Sequence, residues 1–99
     1  MGVLFTPLAD TDLEEIGDYI AQDNPACALT FIQEIRAQCQ KIGKSPLAYR
    51  ARPEFGDEIR SCPFGSYVIL YGPQAPDVLI VRMLRGAMDL LRHTGNEGT

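Results

Sequence analysis

Two residue pairs, Thr6-Pro7 and Asn24-Pro25, constrain this chain more than any other feature. Each places a side chain able to accept an orphan backbone N–H directly before a proline whose fixed φ suits the first helical position. Behind Thr6-Pro7, Ala9, Leu13, Ile16 and Ile20 recur at steps of four, three and four residues, which is one stripe of a helix. Behind Asn24-Pro25, Ala28, Phe31, Ile32, Ile35, Cys39 and Ile42 form a second stripe that Gly43 is expected to end. The second start follows the first helix so closely that the two must form an antiparallel hairpin with one shared apolar face. That face needs a cover.

The rest of the chain supplies it. Residues 3–6, VLFT, read as a first short strand stopped by Pro7. After a connecting loop over residues 44–56, three β-prone stretches follow: DEIRSC (57–62), SYVILYG (66–72) and VLIVRMLR (78–85). Residues 63–65 and 73–77 are the expected turns, and turns this short imply an antiparallel meander. The predicted order is β-α-α-β-β-β, an α+β fold with the helical hairpin on one face of a small, mainly antiparallel sheet. Residues 1–92 form one expected domain, and 93–99 a flexible C-terminal tail.

Charge divides unevenly along the chain. The net charge is −4, yet residues 1–48 carry seven acids and three bases, whereas residues 49–99 carry six of each. All six bases of the second half are arginines: Arg50, Arg52, Arg60, Arg82, Arg85 and Arg92. Arginine without lysine suits planar, bidentate contacts to carboxylate or phosphate. The first helix holds Asp10, Asp12, Glu14, Glu15 and Asp18 without a base, either a solvated face or a partner surface.

Arg82 and Arg85 are three positions apart, so regular strand parity sends them to opposite faces. Arg82 would share its face with Val78, Ile80 and Leu84, with the sheet face away from the helices as its place. Arg85 would lie just past the strand, where Gly86 turns the chain. Asp89 and the helix acids are the available mates for Arg82. Arg60 alternates with Glu58 and Cys62. It either joins Arg82 across the sheet in a small anion-binding surface or serves with Glu58 as a charged edge that resists further strand pairing. Tyr67 and Tyr71 flank Ile69 on one face, where aromatic side chains serve packing, or general acid–base chemistry if an arginine pair lies close.

Other chemistries find little support. Three cysteines at irregular spacing and a single histidine, His93, form no metal-ligand pattern, and no cofactor motif is present. Cys39 falls on the apolar stripe of the second helix as a small core residue. A metal-free ribonuclease needs proton carriers beside its cations, yet the β half has no lysine, and the acidic first helix would repel RNA. The N-terminus has no signal-peptide pattern, and no apolar run approaches the roughly 20 residues of a membrane span. A cytoplasmic location with reduced thiols is expected.

Three segments carry a family resemblance: DLEEIGDYIAQDNP, the IRS…FGSYVILY hairpin and VRMLRGAMDL. In order and spacing the chain from about residue 3 to 91 resembles the ParE branch of the RelE/ParE toxin superfamily. The resemblance implies the toxin of a bacterial type II toxin–antitoxin system of the plasmid-stabilisation kind. A cognate ParD-like antitoxin would bind it in a hetero-oligomer, and DNA gyrase would be the target, poisoned by binding rather than by catalysis. The alternatives are a RelE-like ribosome-dependent mRNA endoribonuclease using Arg60, Arg82 and Tyr67, or a member that binds antitoxin without toxicity. Arg60, Arg82, Arg85, Tyr71 and Asp89 are the candidate partner-binding residues. Where LHGARD is common in the family, this chain has Leu84-Arg85-Gly86-Ala87-Met88-Asp89, with Arg85 in place of the His and Met88 in place of the Arg.

Overall fold

The computed structural model describes residues 2–86. Strand β1 (Val3–Phe5) leads into helix α1 (Pro7–Asp23), and helix α2 (Pro25–Lys44) follows at once. A connecting segment then gives β2 (Arg50–Ala51), β3 (Arg60–Phe64), β4 (Tyr67–Gln74) and β5 (Asp77–Arg85). The five strands lie in the order β1-β5-β4-β3-β2. Only β1 and β5 run parallel; the others pair antiparallel. The expected α+β arrangement is present, with β2 as an unforeseen strand inside the segment read as loop. Its two residues pair with Arg60 and Ser61, too few to leave a periodic signal.

Both proline-capped starts form. Thr6 Oγ1 accepts the Ala9 N–H at 3.0 Å, and Asn24 Oδ1 accepts the Cys27 N–H at 3.1 Å. Asn24 also donates its own N–H to the Ile20 carbonyl. One residue thus ends α1 and begins α2, which forces the hairpin. No helix among the described residues is long and apolar enough to cross a membrane.

The core lies between the hairpin and the sheet. Ala9, Leu13 and Ile16 from α1 and Ile35, Cys39 and Ile42 from α2 meet Cys62, Tyr67, Ile69, Tyr71, Val78, Ile80 and Met83. Burying one such large side chain contributes about 1.5–3 kcal/mol. Gly43 does not end α2, which continues to Lys44. It is buried because β1 crosses there, and a Cβ on it would stand 2.9 Å from Val3 Cγ2.

The turns fall later than expected, and one physical reason covers both. Pro63 and Phe64 continue β3, paired with Val68 and Tyr67, and Pro73 and Gln74 continue β4, paired with Val78 and Asp77. A proline is excluded from a strand only where its missing N–H is needed. β2 reaches β3 only at Arg60 and Ser61, and β3 reaches β4 only as far as Tyr71, so both prolines sit where the ladder has no neighbour on one side. The chain reverses instead at Gly65-Ser66, with Gly65 at φ 60°, and at Ala75-Pro76, joined by a cis peptide bond.

Candidate functional site

β5 is irregular at its centre. Leu70 of β4 faces Arg82, but the next residue, Tyr71, faces Ile80, so Val81 is an extra residue in the ladder. The bulge breaks the parity expected for this strand. Val78 and Ile80 face the helices, whereas Arg82 shares the opposite face with its cross-strand partner Leu70 and, one strand further, Ser61. Arg82 is therefore on the face expected, though not in the company expected. That face is not bare, since Ser61, Leu70 and Leu84 are all buried.

The bulge lies where β1 stops. Beyond Phe5, paired with Ile80, β5 has lost its parallel neighbour. The start of α1 takes over: Thr6 N–H donates to the Ile80 carbonyl at 3.0 Å, and Thr6 Oγ1 donates to the Val81 carbonyl at 2.8 Å. Nearly two turns further, Asp12 Oδ2 accepts the Met83 N–H at 2.9 Å and Arg82 Nε at 2.7 Å, while Oδ1 accepts Arg82 Nη2 at 3.0 Å. A helix carboxylate thus completes the strand edge and clamps the arginine beside it. Asp12, one of the acids foreseen as mates for Arg82, is in contact with it. Asp89 lies outside the described residues, as do Met88, His93 and the expected tail.

Arg60 lies elsewhere. Its cross-strand partner is Tyr71, a core residue of the helix-facing side, so Arg60 and Arg82 are on opposite faces of the sheet. The shared anion-binding surface expected for this pair does not form, because Arg60 is in register with Tyr71 and Arg82 with Leu70. Arg60 Nη1 donates instead to the Tyr49 carbonyl at 2.7 Å, and the Tyr71 hydroxyl donates to the Pro46 carbonyl. Tyr49 Oη accepts from Gln38 Nε2 at 3.0 Å, and its ring meets Tyr71 edge-on. Together they tie the connecting segment onto α2 and the sheet. Burial pushes the Tyr71 phenol up to about 12, against the opposing field of Arg60.

Arg85 is the last residue of β5 rather than a residue beyond it. Its guanidinium stands 4.8 Å from the ring centroid of Tyr19, an exposed residue of α1, in a cation–π contact. Tyr67, opposite Arg85, is buried against Phe31, which also meets Phe64. The three residues considered for RNA cleavage, Arg60, Arg82 and Tyr67, therefore sit on two faces and do not converge.

Among the described residues no group of three or more His, Cys, Asp or Glu side chains is placed to hold a metal. Cys39 and Cys62 are buried free thiols, with Cys39 pushed up to about 12 by desolvation and Cys62 also raised by burial. Neither is a ready nucleophile. Asp12 and Tyr49 were not singled out by sequence. Asp12 is one acid in an acidic run, and only its step from Thr6 distinguishes it. Tyr49 sits in a segment without periodicity.

The comparisons with known proteins bear on the family and the fold. The family model for the ParE toxin of the type II toxin–antitoxin system parDE matches residues 3–90. No curated protein matches. A solved structure described as a chromosomal ParDE TA system from P. aeruginosa is similar in fold, with a TM-score of 0.74 at 22% sequence identity, over 88% of this chain and 97% of that one. The two chains thus share their overall fold, and this chain belongs to the ParE toxin family of type II toxin–antitoxin systems.

Proposed function

We propose that this chain acts in the bacterial cytoplasm as a toxin that inhibits DNA gyrase by binding, and that a cognate ParD-like antitoxin neutralises it in a hetero-oligomer. The family match over residues 3–90 carries this reading. The residues considered for catalysis give it further support. Arg60 and Arg82 lie on opposite sheet faces, and Tyr67 is buried against Phe31. Among the described residues, the titratable groups beside the two arginines are engaged: the Tyr71 hydroxyl donates to the Pro46 carbonyl, and the Asp12 carboxylate accepts from Arg82 and the Met83 N–H. Residues 1–92 act as the working domain. Arg85 and Asp89, in the segment that matches the family motif, and Arg60, Arg82 and Tyr71 are the proposed partner contacts.

Induction of the chain alone in a bacterial host tests the proposal. The expected outcome is a DNA damage response and filamentation, with mRNA ends unchanged and growth restored by co-expression of a cognate antitoxin. Codon-positioned mRNA cuts that vanish in Arg82→Ala would instead establish the endoribonuclease reading. Unaffected growth would leave only antitoxin binding.

A further inference from the structure

A cavity of about 370 Å³ opens where the connecting segment, the end of β4 and the start of β5 meet. Leu47, Pro73, Ala75, Pro76 and Val78 give it apolar walls, and Arg60 lies among them. Leu47 is 77% exposed on that wall, open to contact from outside. Arg60 is half-buried and makes one hydrogen bond, to the Tyr49 carbonyl, with no carboxylate partner among the described residues. A guanidinium held that way has lost part of its water and offers its remaining donors to an anion.

The surrounding charges narrow what that anion can be. Lys44 adds a second positive group at the lining. Two acids also line the cavity, but Asp77 Oδ1 is engaged by the Gly2 N–H at 2.8 Å. Glu58 is exposed and held at φ 66°, a left-handed conformation that costs a non-glycine residue energy. These acids oppose a polyanion more strongly than a single charge, and one carboxylate between apolar side chains fits both the arginine and the walls. A cavity near the lower end of the usual ligand-site range has room for a few side chains.

We infer that this cavity is a docking site for a segment of the protein partner that presents a single Asp or Glu flanked by apolar side chains, its carboxylate on Arg60. The inference rests on the antitoxin reading above and specifies the chemistry of one contact. Arg82, clamped by Asp12 on the other sheet face, is not part of it. Desolvated pairs of this kind, rather than rim charges, carry binding strength.

The test uses the full chain and, as probe, the purified antitoxin encoded beside it, with affinity measured by calorimetry. Arg60→Gln and Leu47→Glu are each expected to weaken binding by roughly tenfold or more, while Arg50→Gln on the exposed edge changes it by less than about threefold. Leu47 is exposed, so Leu47→Glu keeps the test valid if Arg60→Gln loosens the Tyr49 segment. Neutralising the antitoxin's acids one at a time should reveal one whose loss is non-additive with Arg60→Gln. Tight binding to wild type, with both cavity variants unchanged, would overturn the docking site and leave the antitoxin reading intact. No binding to wild type would overturn both. Displacement of the antitoxin by inorganic phosphate, beyond the effect of sodium chloride at equal ionic strength, would overturn the choice of a carboxylate.

Discussion

Asp12 and Arg82, 70 residues apart, form a two-pronged pair at 2.7 and 3.0 Å, and the same carboxylate accepts the Met83 N–H. The pair stands where β1 has ended and β5 has bulged, so a helix side chain replaces the missing strand. The Arg82 side chain is 27% exposed and that of Asp12 11%, which keeps the contact from being dissolved by solvent screening.

Asp12→Ala is therefore expected to destabilise the fold by about 2 kcal/mol, since it strips an acceptor from a partly buried N–H as well as from the arginine. Asp12→Asn keeps an acceptor for Met83 N–H and should cost about half as much. Urea denaturation of the three proteins measures both. Equal costs would mean that the backbone bond contributes little.

The two helix caps differ in a way that stability should register. Asn24 Oδ1 accepts one N–H, whereas Thr6 Oγ1 accepts the Ala9 N–H and donates to the Val81 carbonyl. Asn24→Ala should cost about 1 kcal/mol and Thr6→Ala about 2 kcal/mol, with Thr6→Ser recovering most of the difference. Thermal melting in a single buffer suffices to rank them.

Glu58 offers a stabilising change. Its φ of 66° is a conformation glycine adopts without penalty. Glu58→Gly should raise stability by roughly 1 kcal/mol at most, because the added freedom of the unfolded chain offsets part of the relief. Loss of stability instead would show that the glutamate side chain contributes more than its backbone costs.

Alkaline pH should unfold the protein through identifiable groups. Burial raises Cys39 from 9.0 to about 12 and Tyr71 from 10.0 to about 12. A raised folded-state value means that the native state holds the proton more tightly. The stability from Tyr71 is thus complete below pH 10 and is lost as pH rises toward 12; that from Cys39 starts to fall near 9. In Tyr71→Phe the decline between pH about 10 and about 12 should flatten. In Cys39→Ala the earlier decline should shrink to the part contributed by Cys62, also raised by burial. Urea midpoints from pH 8 to 11.5 read both slopes.

The elements that carry periodicity were legible in the sequence. Thr6-Pro7 and Asn24-Pro25 cap as expected, the two apolar stripes are the core faces of α1 and α2, and Tyr67 and Tyr71 pack beside Ile69. The β-α-α-β-β-β order follows from those signals. What escaped depends on neighbours that no local pattern records. Pro63 and Pro73 continue strands because the adjoining strand stops short, and Val81 bulges because β1 ends opposite Ile80. The bulge in turn parted Arg82 from Val78 and Ile80, while Arg82 and Arg85 still face opposite sides as parity required, and the register of β3 parted Arg60 from Arg82. Asp12 was one acid among several until the bulge gave it a partner.

The most direct test of the proposed toxin activity is gyrase supercoiling of relaxed plasmid in the presence of the purified chain. Supercoiling is expected to fall with rising toxin concentration and to recover with stoichiometric antitoxin. Supercoiling that proceeds unchanged at toxin in large excess over gyrase would contradict that activity.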